Sequence, residues 1–192
     1  FFFVIRSLIT FEKGLNGVGK FSLALSAGAT LLSLTTFVGF TFYPYISSMA
    51  IDDIKISFSK TNNLSLRIIC FSGVIALILI VLKVNFHDIL NFYPFTIDSI
   101  DLILAFVGYG FLSAYQISQP FAFALTNNIK VFKIEMTSFI ISILTLGIFI
   151  VFMKEILISY FLFAFCIYAA CNYLQAKKRN LILFKKKFRT VS

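Results

Sequence analysis

The sequence predicts an all-α membrane protein that crosses the bilayer several times. Hydrophobic residues fill 59% of its 192 positions and charged residues only 13%, whereas soluble domains average about 45–50% and about 25%. The mean hydropathy is +0.95. The apolar residues also gather into stretches of about 20, the length that a helix needs to cross a hydrocarbon core about 30 Å thick. The composition therefore excludes an ordinary soluble domain and favours a polytopic helix bundle.

Five complete transmembrane helices are expected in chain order, at about residues 21–43, 68–84, 100–125, 136–153 and 156–174. The opening stretch FFFVIRSLI is interpreted as the end of a sixth helix. Since the chain does not begin with Met, we expect it to be the C-terminal part of a longer product. No linker rich in Gly or Ser divides the helices, so residues 1–175 are predicted to form one membrane domain and residues 176–192 a basic cytoplasmic tail.

Basic residues predict the orientation, because the cytoplasmic loops of multi-pass proteins are enriched in Lys and Arg. The chain holds 17 basic residues, and its tail alone contains Lys177, Lys178, Arg179, Lys185, Lys186, Lys187 and Arg189. We therefore place the C-terminus in the cytoplasm. A basic cluster beside a bilayer indicates contact with membrane lipids and not with nucleic acid.

The stretch GLNGVGKFS, residues 14–22, comes close to a phosphate-binding loop. Such a loop needs Gly, four residues, then Gly-Lys and a Ser or Thr whose hydroxyl binds magnesium. Gly14, Gly19 and Lys20 fit this spacing, but Phe21 occupies the hydroxyl position. The predicted orientation also puts the stretch outside the cell, away from ATP. We interpret it as a tight turn into the first complete helix, where glycine supplies backbone conformations that other residues resist.

The same segment carries a family resemblance. FEKGLNGVGKFSLALSAGA, followed by FYPYIS, resembles the second helix of each lobe in bacterial lipid-linked oligosaccharide flippases. In that family an acidic residue and a glycine precede a Val-Gly-x-Tyr/Phe-Ser/Ala entry, and the helix leaves through Pro-x-Ile/Leu-Ser. The matching positions here are Glu12, Gly14, Val18, Gly19, Phe21, Ser22, Pro44, Ile46 and Ser47. The family includes the O-antigen flippases and belongs to the multidrug/oligosaccharidyl-lipid/polysaccharide exporter superfamily.

The resemblance implies a MATE-like fold of two six-helix bundles around a central cavity, with this chain as most of the C-terminal bundle. A connection at residues 51–66, an Asn/Lys loop at 127–133 and the basic C-terminus agree with it. It also implies a substrate, a polyprenyl-pyrophosphate-linked oligosaccharide that is a repeat unit of O-antigen or another surface polysaccharide. This lipid would move from the inner to the outer leaflet of a bacterial inner membrane by alternating access. The missing N-terminal bundle of the same protein would supply the other half of the path.

The third predicted helix contains VGYGFLSAYQISQPFAFAL, and one helical face with its flanks holds Tyr109, Ser113, Tyr115, Gln116, Gln119 and Pro120. In one interpretation this face is a bent polar lining that contacts sugar hydroxyls, since Pro120 cannot donate to the carbonyl of Gln116. In the other, the two glutamines join neighbouring helices around a structural kink. The sequence leaves both interpretations open.

Other candidates for the path and its gates are weaker. Lys20 and Lys83 are the cations that could meet a pyrophosphate near the outer side. Tyr43 and Pro44 belong either to a gate or to an ordinary interfacial helix end. A stripe of small residues in the first complete helix favours close helix packing over cavity lining: Ser22, Ser26, Ser33 and Thr36.

No constellation in the sequence predicts catalysis. Asp98, Asp101 and Glu135 stand at helix starts and are interpreted as solvated helix ends, not as a proton-coupling site. His87 is the one histidine of the chain, and the three cysteines are interpreted as inert buried thiols: Cys70, Cys166 and Cys171. We expect no catalytic residue, no metal and no cofactor, so the chain is not expected to be an enzyme.

Three alternatives to a flippase stay open. The first is a multidrug or cation antiporter of the same superfamily, which a buried cavity Asp or Glu would favour. The second is a membrane-embedded sugar or acyl transferase, which a loop with clustered His, Asp and Glu would favour. The third is a non-catalytic membrane scaffold. An upstream half rich in cavity Arg and Lys would favour the flippase.

Overall fold

The computed structural model describes residues 2–47, 51–85, 98–125, 128–152 and 158–189. These residues form five helices: α1 (Phe2–Ser47), α2 (Ile51–Asn85), α3 (Ser99–Leu125), α4 (Asn128–Phe152) and α5 (Ile158–Arg189). Apart from Asp98, every residue in this part of the chain is helical. The predicted all-α fold class is confirmed.

Each predicted membrane crossing has a counterpart in the structure. Four helical segments are long and apolar enough to span a bilayer: Ser57–Leu82, Ile100–Pro120, Val131–Phe152 and Ile158–Ile182. α1 provides a fifth span when its two segments Lys13–Ser26 and Gly28–Phe37, which meet at an angle of 42°, are taken together. The multi-pass helical character predicted from composition is therefore present.

Several predicted boundaries were wrong, because the helices are longer than their apolar stretches. Residues 51–66, expected as a connection, belong to α2, and most of the Asn/Lys loop at 127–133 belongs to α4. α5 continues from the predicted end at 174 to Arg189, so residues 176–189 of the predicted basic tail are helical. Neither 51–66 nor 176–189 contains Gly or Pro, and the Lys, Arg and Leu residues that dominate 176–189 favour helix.

Gly14 divides α1 into two arms. Its backbone angles are φ 65° and ψ −167°, outside the helical region and in the left-handed half that favours glycine. A Cβ atom placed on Gly17 would lie 3.2 Å from Cγ2 of Ile9, so the arm at residues 2–13 packs back against the arm that follows. Ile5 and Ile9 are fully buried there. The predicted tight turn is confirmed at Gly14, and FFFVIRSLI is a helical part of the bundle.

α3 is the central helix of the bundle. It packs against α1, α2 and α5, whereas α4 packs mainly on α5. About 61% of the α3 span is buried, compared with 18% of the α2 span and 22% of the α4 span. Aromatic rings fill the space around it, and the rings of Tyr109 and Phe165 meet edge to face with their centroids 5.0 Å apart. α2 and α4 therefore form the periphery, and α3 sets the position of every other helix except α4.

Small residues let the helices approach α3 closely. Gly28 of α1 lies against the ring of Tyr109, and Gly108 lies against the ring of Phe165 on α5. Gly110 faces Ser72 of α2, and a Cβ atom on Gly110 would lie 2.8 Å from Cβ of Ser72. Close contact of this kind replaces hydrophobic burial as a source of helix association in lipid.

The exposed faces of the outer helices differ in chemistry. α2 and α4 present large apolar side chains outward, among them Phe71, Leu77, Val81, Ile140, Leu144 and Ile148. The exposed side of α1 carries both hydroxyls and large apolar side chains such as Phe37, which is 74% exposed. Ser26, Ser33 and Thr41 each donate to the carbonyl four residues earlier, at 2.8, 3.1 and 2.9 Å. Ser26 and Ser33 were expected to pack closely against another helix, but within the described bundle both are exposed.

Candidate functional site

A cavity of about 400 Å³, with charged and apolar residues in its lining, lies where α1 turns and where α3 and α5 begin, and we call it the turn cavity. Asn16 and Lys20 of α1 are four residues apart and therefore share a face of the helix. The first turns of α3 and α5 form the other walls. The lining residues are Lys13, Asn16, Gly17, Lys20, Asp98, Ile100, Asp101, Ile158 and Ser159.

Asp101 is a buried carboxylate of the turn cavity, with only 4% of its surface exposed. The hydroxyl of Ser159 on α5 donates to its Oδ1 at 2.7 Å. The interpretation of Asp101 as a solvated helix end was wrong, because α5 packs over the first turn of α3. The same interpretation agrees with the structure at Asp98, which is exposed.

Two lysines of α1 reach the same cavity. Lys20, a predicted member of the substrate path, is half-buried, and Lys13 is exposed. Sequence reasoning did not single out Lys13, although the spacing of polar residues at 13, 16 and 20 is a signal that could have found it. The side chain of Lys83, the other predicted cation, lies outside the described residues.

Glu135 joins α4 to two of the predicted path residues. The hydroxyl of Tyr115 donates to its Oε1 at 2.8 Å, and Nε2 of Gln119 donates to the same oxygen at 3.3 Å. Glu135 is half-buried and Tyr115 is buried, so this carboxylate is no freely solvated helix end either. In the described bundle, Gln119 therefore joins two helices, which was one of the two interpretations of the third helix.

The remaining predicted residues of α3 lie inside the bundle. Tyr109, Ser113 and Pro120 are buried, and Gln116 is half-buried. The hydroxyl of Ser113 has no hydrogen-bond partner among the described residues, and none of these four lines the turn cavity. α3 continues through Pro120 to Leu125 as one helix. Whether Gln116 contacts a sugar and Pro120 acts as a hinge stays a prediction.

The predicted gate residues occupy the last turn of α1. Pro44 was expected to end the helix, but α1 continues to Ser47 with Pro44 exposed inside it. A proline in the final turn disrupts the helix little, because its missing N–H removes only one backbone hydrogen bond. The side chain of Tyr43 lies outside the described residues.

A second polar cluster was missed because it includes the supposed tail. Asn180 of α5 is fully buried, and its Nδ2 donates to the carbonyl of Ser118 at 3.2 Å. Ser65 of α2 approaches the carbonyl of Ala114 at 3.4 Å. The available signal in the sequence was an uncharged polar residue, Asn180, within a stretch dominated by Lys and Arg. This cluster fastens the extensions of α2 and α5 to α3.

The three cysteines differ in how deeply they are buried. Cys166 is buried, and its Sγ donates to the carbonyl of Leu104 at 2.8 Å. Cys171 is half-buried, and Cys70 is exposed on α2, so the expectation that all three thiols are buried was wrong for Cys70. Over the described ranges, no three His, Cys, Asp or Glu side chains come together as a metal site. His87 lies outside those ranges.

Comparison with known proteins gives no relative. No protein-family model matches this chain, and no curated protein or solved structure matches it significantly. The functional argument therefore depends on the residues and their geometry.

Proposed function

We propose that this chain is part of an exporter that carries a lipid-linked oligosaccharide from the inner to the outer leaflet by alternating access. The observation that carries the proposal is the asymmetry of the exposed faces. α2 and α4 expose mainly aliphatic and aromatic side chains suited to lipid, whereas α1 exposes the hydroxyls of Ser26, Ser33 and Thr41 alongside Phe37. A face of that kind suits a hydrated cavity shared with a second bundle.

The exposed hydroxyls of α1 can bind a sugar, and they leave no unsatisfied hydrogen-bond donor when no substrate is bound. Each of these serine and threonine residues already donates to its own helix, so its proton is satisfied when no substrate is present. The hydroxyl oxygen keeps a lone pair that a sugar hydroxyl or water can use. In this proposal the sugar passes along α1 while the polyprenyl chain stays in lipid.

The segment that resembles the flippases begins this face. Gly14 makes the turn into the second arm of α1, and Phe21, at the aromatic position of the resemblance, is fully buried in the core. Lys20 stands beside a cavity that also contains two aspartates. Because those carboxylates disfavour a highly charged anion, we assign the main pyrophosphate contacts to the second bundle of the proposed exporter.

The test uses the complete exporter in proteoliposomes, with a fluorescent lipid-linked oligosaccharide placed in one leaflet. Ser33→Leu fills the hydroxyl face and should slow translocation by about tenfold or more, because it removes an acceptor and narrows the path. Thr137→Leu is the matched control, since Thr137 is exposed on α4 and donates to its own helix in the same way at 2.7 Å. Equal rates in both variants, or no translocation by the unmodified protein, would contradict the proposal.

A cation antiporter is the second candidate, and the burial of Asp101 in the turn cavity favours it. A carboxylate in such a position binds and releases a proton or a metal cation as its surroundings change. Efflux of a lipophilic cation driven by an ion gradient, lost in Asp101→Asn and kept in Asp98→Asn, would favour the antiporter over the flippase. The exposed Asp98 makes that comparison a matched one.

A further inference from the structure

A narrow crevice lies between α2 and α5, beside the end of the α3 span, and we call it the α2–α5 crevice. Its lining includes Ser65 of α2, Ser118 of α3, and Tyr173, Lys177 and Asn180 of α5. The space within it is about 10 Å³, close to the smallest volume that holds one water molecule. The crevice is therefore too small for a lipid headgroup or a sugar.

Two buried polar atoms of the lining have no hydrogen-bond partner among the described residues. They are the hydroxyl of Tyr173, a side chain that is 3% exposed, and Oδ1 of Asn180, which is fully buried. Nδ2 of Asn180 already donates to the carbonyl of Ser118 at 3.2 Å, so only the oxygen of this amide lacks a partner. Buried polar groups that the protein does not pair are commonly hydrogen-bonded to ordered water.

Two serine hydroxyls of the lining can accept a further hydrogen bond. Oγ of Ser118 donates to the carbonyl of Tyr115 at 2.8 Å, and Oγ of Ser65 approaches the carbonyl of Ala114 at 3.4 Å. Because each proton is directed to a backbone carbonyl, each oxygen keeps a lone pair. The crevice thus combines the phenolic donor of Tyr173 with acceptors on α2, α3 and α5.

We propose that the α2–α5 crevice binds one water molecule, which accepts a hydrogen bond from Tyr173 and donates to Oδ1 of Asn180 and to the hydroxyl of Ser65. Three partners are the usual number for a buried water. The water joins α2 to α5 through hydrogen bonds that are nearly as favourable as direct ones. This inference does not depend on the proposed export function.

Lys177 disfavours a metal cation in the same place. Its Nζ lies 5.7 Å from the centroid of the Tyr173 ring, so a positive charge already stands beside the crevice. A cation among these uncharged oxygen atoms would be repelled by that ammonium group, whereas a neutral water is not.

The first experiment is X-ray radiolytic labelling of the purified full chain, followed by mass spectrometry. Radiolysis converts water into hydroxyl radicals, and a radical formed from a bound water oxidises the side chain that holds it. Tyr173 should be oxidised several-fold faster than Tyr115, which is buried to a similar extent, 2% against 3% exposed, but donates its hydroxyl to Glu135. Equal rates for the two tyrosines would overturn the proposal.

Two serine variants test whether this labelling depends on the crevice. Ser65→Val fills the space and removes an acceptor, so the oxidation of Tyr173 should fall to the rate of Tyr115. Ser142→Val is the matched control, because Ser142 is also buried and donates to a backbone carbonyl of a neighbouring helix, that of Ala164, outside the crevice. It should leave the oxidation of Tyr173 unchanged. An equal fall in both variants, or a fall in neither, would contradict the proposal.

Removal of the phenolic hydroxyl gives an independent measurement. In the wild type, Tyr173→Phe deletes a group that is hydrogen-bonded to the water, so the midpoint of unfolding in SDS should fall. In the Ser65→Val background the hydroxyl has lost its water, and the same substitution should raise the midpoint. A dry crevice predicts a rise in both backgrounds, and that result would refute the bound water. Should Ser65→Val not fold, the direction of the change in the wild type alone decides.

Discussion

Glu135 shows how a single polar side chain links two helices of the bundle. Its Oε1 accepts hydrogen bonds from both Tyr115 and Gln119, which lie on another helix. The sequence placed both donors beside the polar face of the third predicted helix, and polar groups inside a membrane helix need partners. It could not name Glu135 as that partner, since the residues are 16 and 20 positions apart and only packing brings them together.

Replacing Glu135 separates hydrogen bonding from charge. Glu135→Leu leaves the hydroxyl of Tyr115 without its acceptor in a buried position, and we expect a loss of about 1–3 kcal/mol in the free energy of unfolding. Glu135→Gln keeps a carbonyl oxygen and should lose less. Unfolding in mixed micelles with increasing SDS measures both. Equal stability of the Leu variant and the wild type would mean that the contact does not stabilise the bundle.

Lys20 and Asp101 show the same limit within the turn cavity. The sequence predicted Lys20 as a cation that could meet a pyrophosphate near the outer side. Asp101 was assigned to solvent, because its burial depends on α5, more than fifty residues further along the chain, as its 58-residue separation from Ser159 shows. Local pattern thus predicts which residues are polar and near an interface, but not which of them face one another.

At the scale of elements, α2 packs closely against α3 because Gly110 has no side chain. Gly110→Ala would put a methyl group against Oγ of Ser72, which already donates to the carbonyl of Ile69 at 2.7 Å. We expect a loss of about 1–3 kcal/mol in stability from this overpacking. The measurement is the same SDS unfolding midpoint.

A second glycine provides the control for that substitution. Gly147 of α4 has no atom within 4 Å of an added Cβ, so Gly147→Ala should be neutral or stabilising by up to about 1 kcal/mol through helix propensity. Adding Ser72→Gly to Gly110→Ala should restore much of the lost stability. If the double variant is no better than Gly110→Ala alone, the contact with Ser72 is not the cause.

The existence of the elements was predictable, and their ends were not. Long apolar stretches give a strong helical signal in a membrane protein, so all five spans were expected near their observed places. The polar extensions at 51–66 and 176–189 carry no apolar stretch, and their helices are stabilised by tertiary contacts such as that of Asn180 with Ser118. A hydropathy profile does not predict such contacts.

At the scale of the whole molecule, the described residues hold four possible spans, or five when the bent pair of α1 is taken as one. With five spans, Lys13 and Lys178 are expected on opposite sides of the membrane. In a chain without its native cysteines, Lys13→Cys should react with an impermeant maleimide from outside intact cells. Lys178→Cys should react only after permeabilisation, because the basic end of α5 is predicted to be cytoplasmic. Both lysines are exposed, so accessibility within the protein is not limiting. Labelling of both positions from the same side would contradict an odd number of crossings.

The central position of α3 also has a consequence for biogenesis. Of its three main neighbours, α1 and α2 emerge from the ribosome before it, and only α5 emerges later. α4 meets its main neighbour when α5 enters the membrane, where Ser142 donates to the carbonyl of Ala164. A nascent chain that ends after α4 would thus contain α1, α2 and α3 packed together, whereas α4 would lack α5, its main packing partner. We expect membrane proteases and chaperones to bind this protein most readily before α5 is inserted, because α4 is then unpacked.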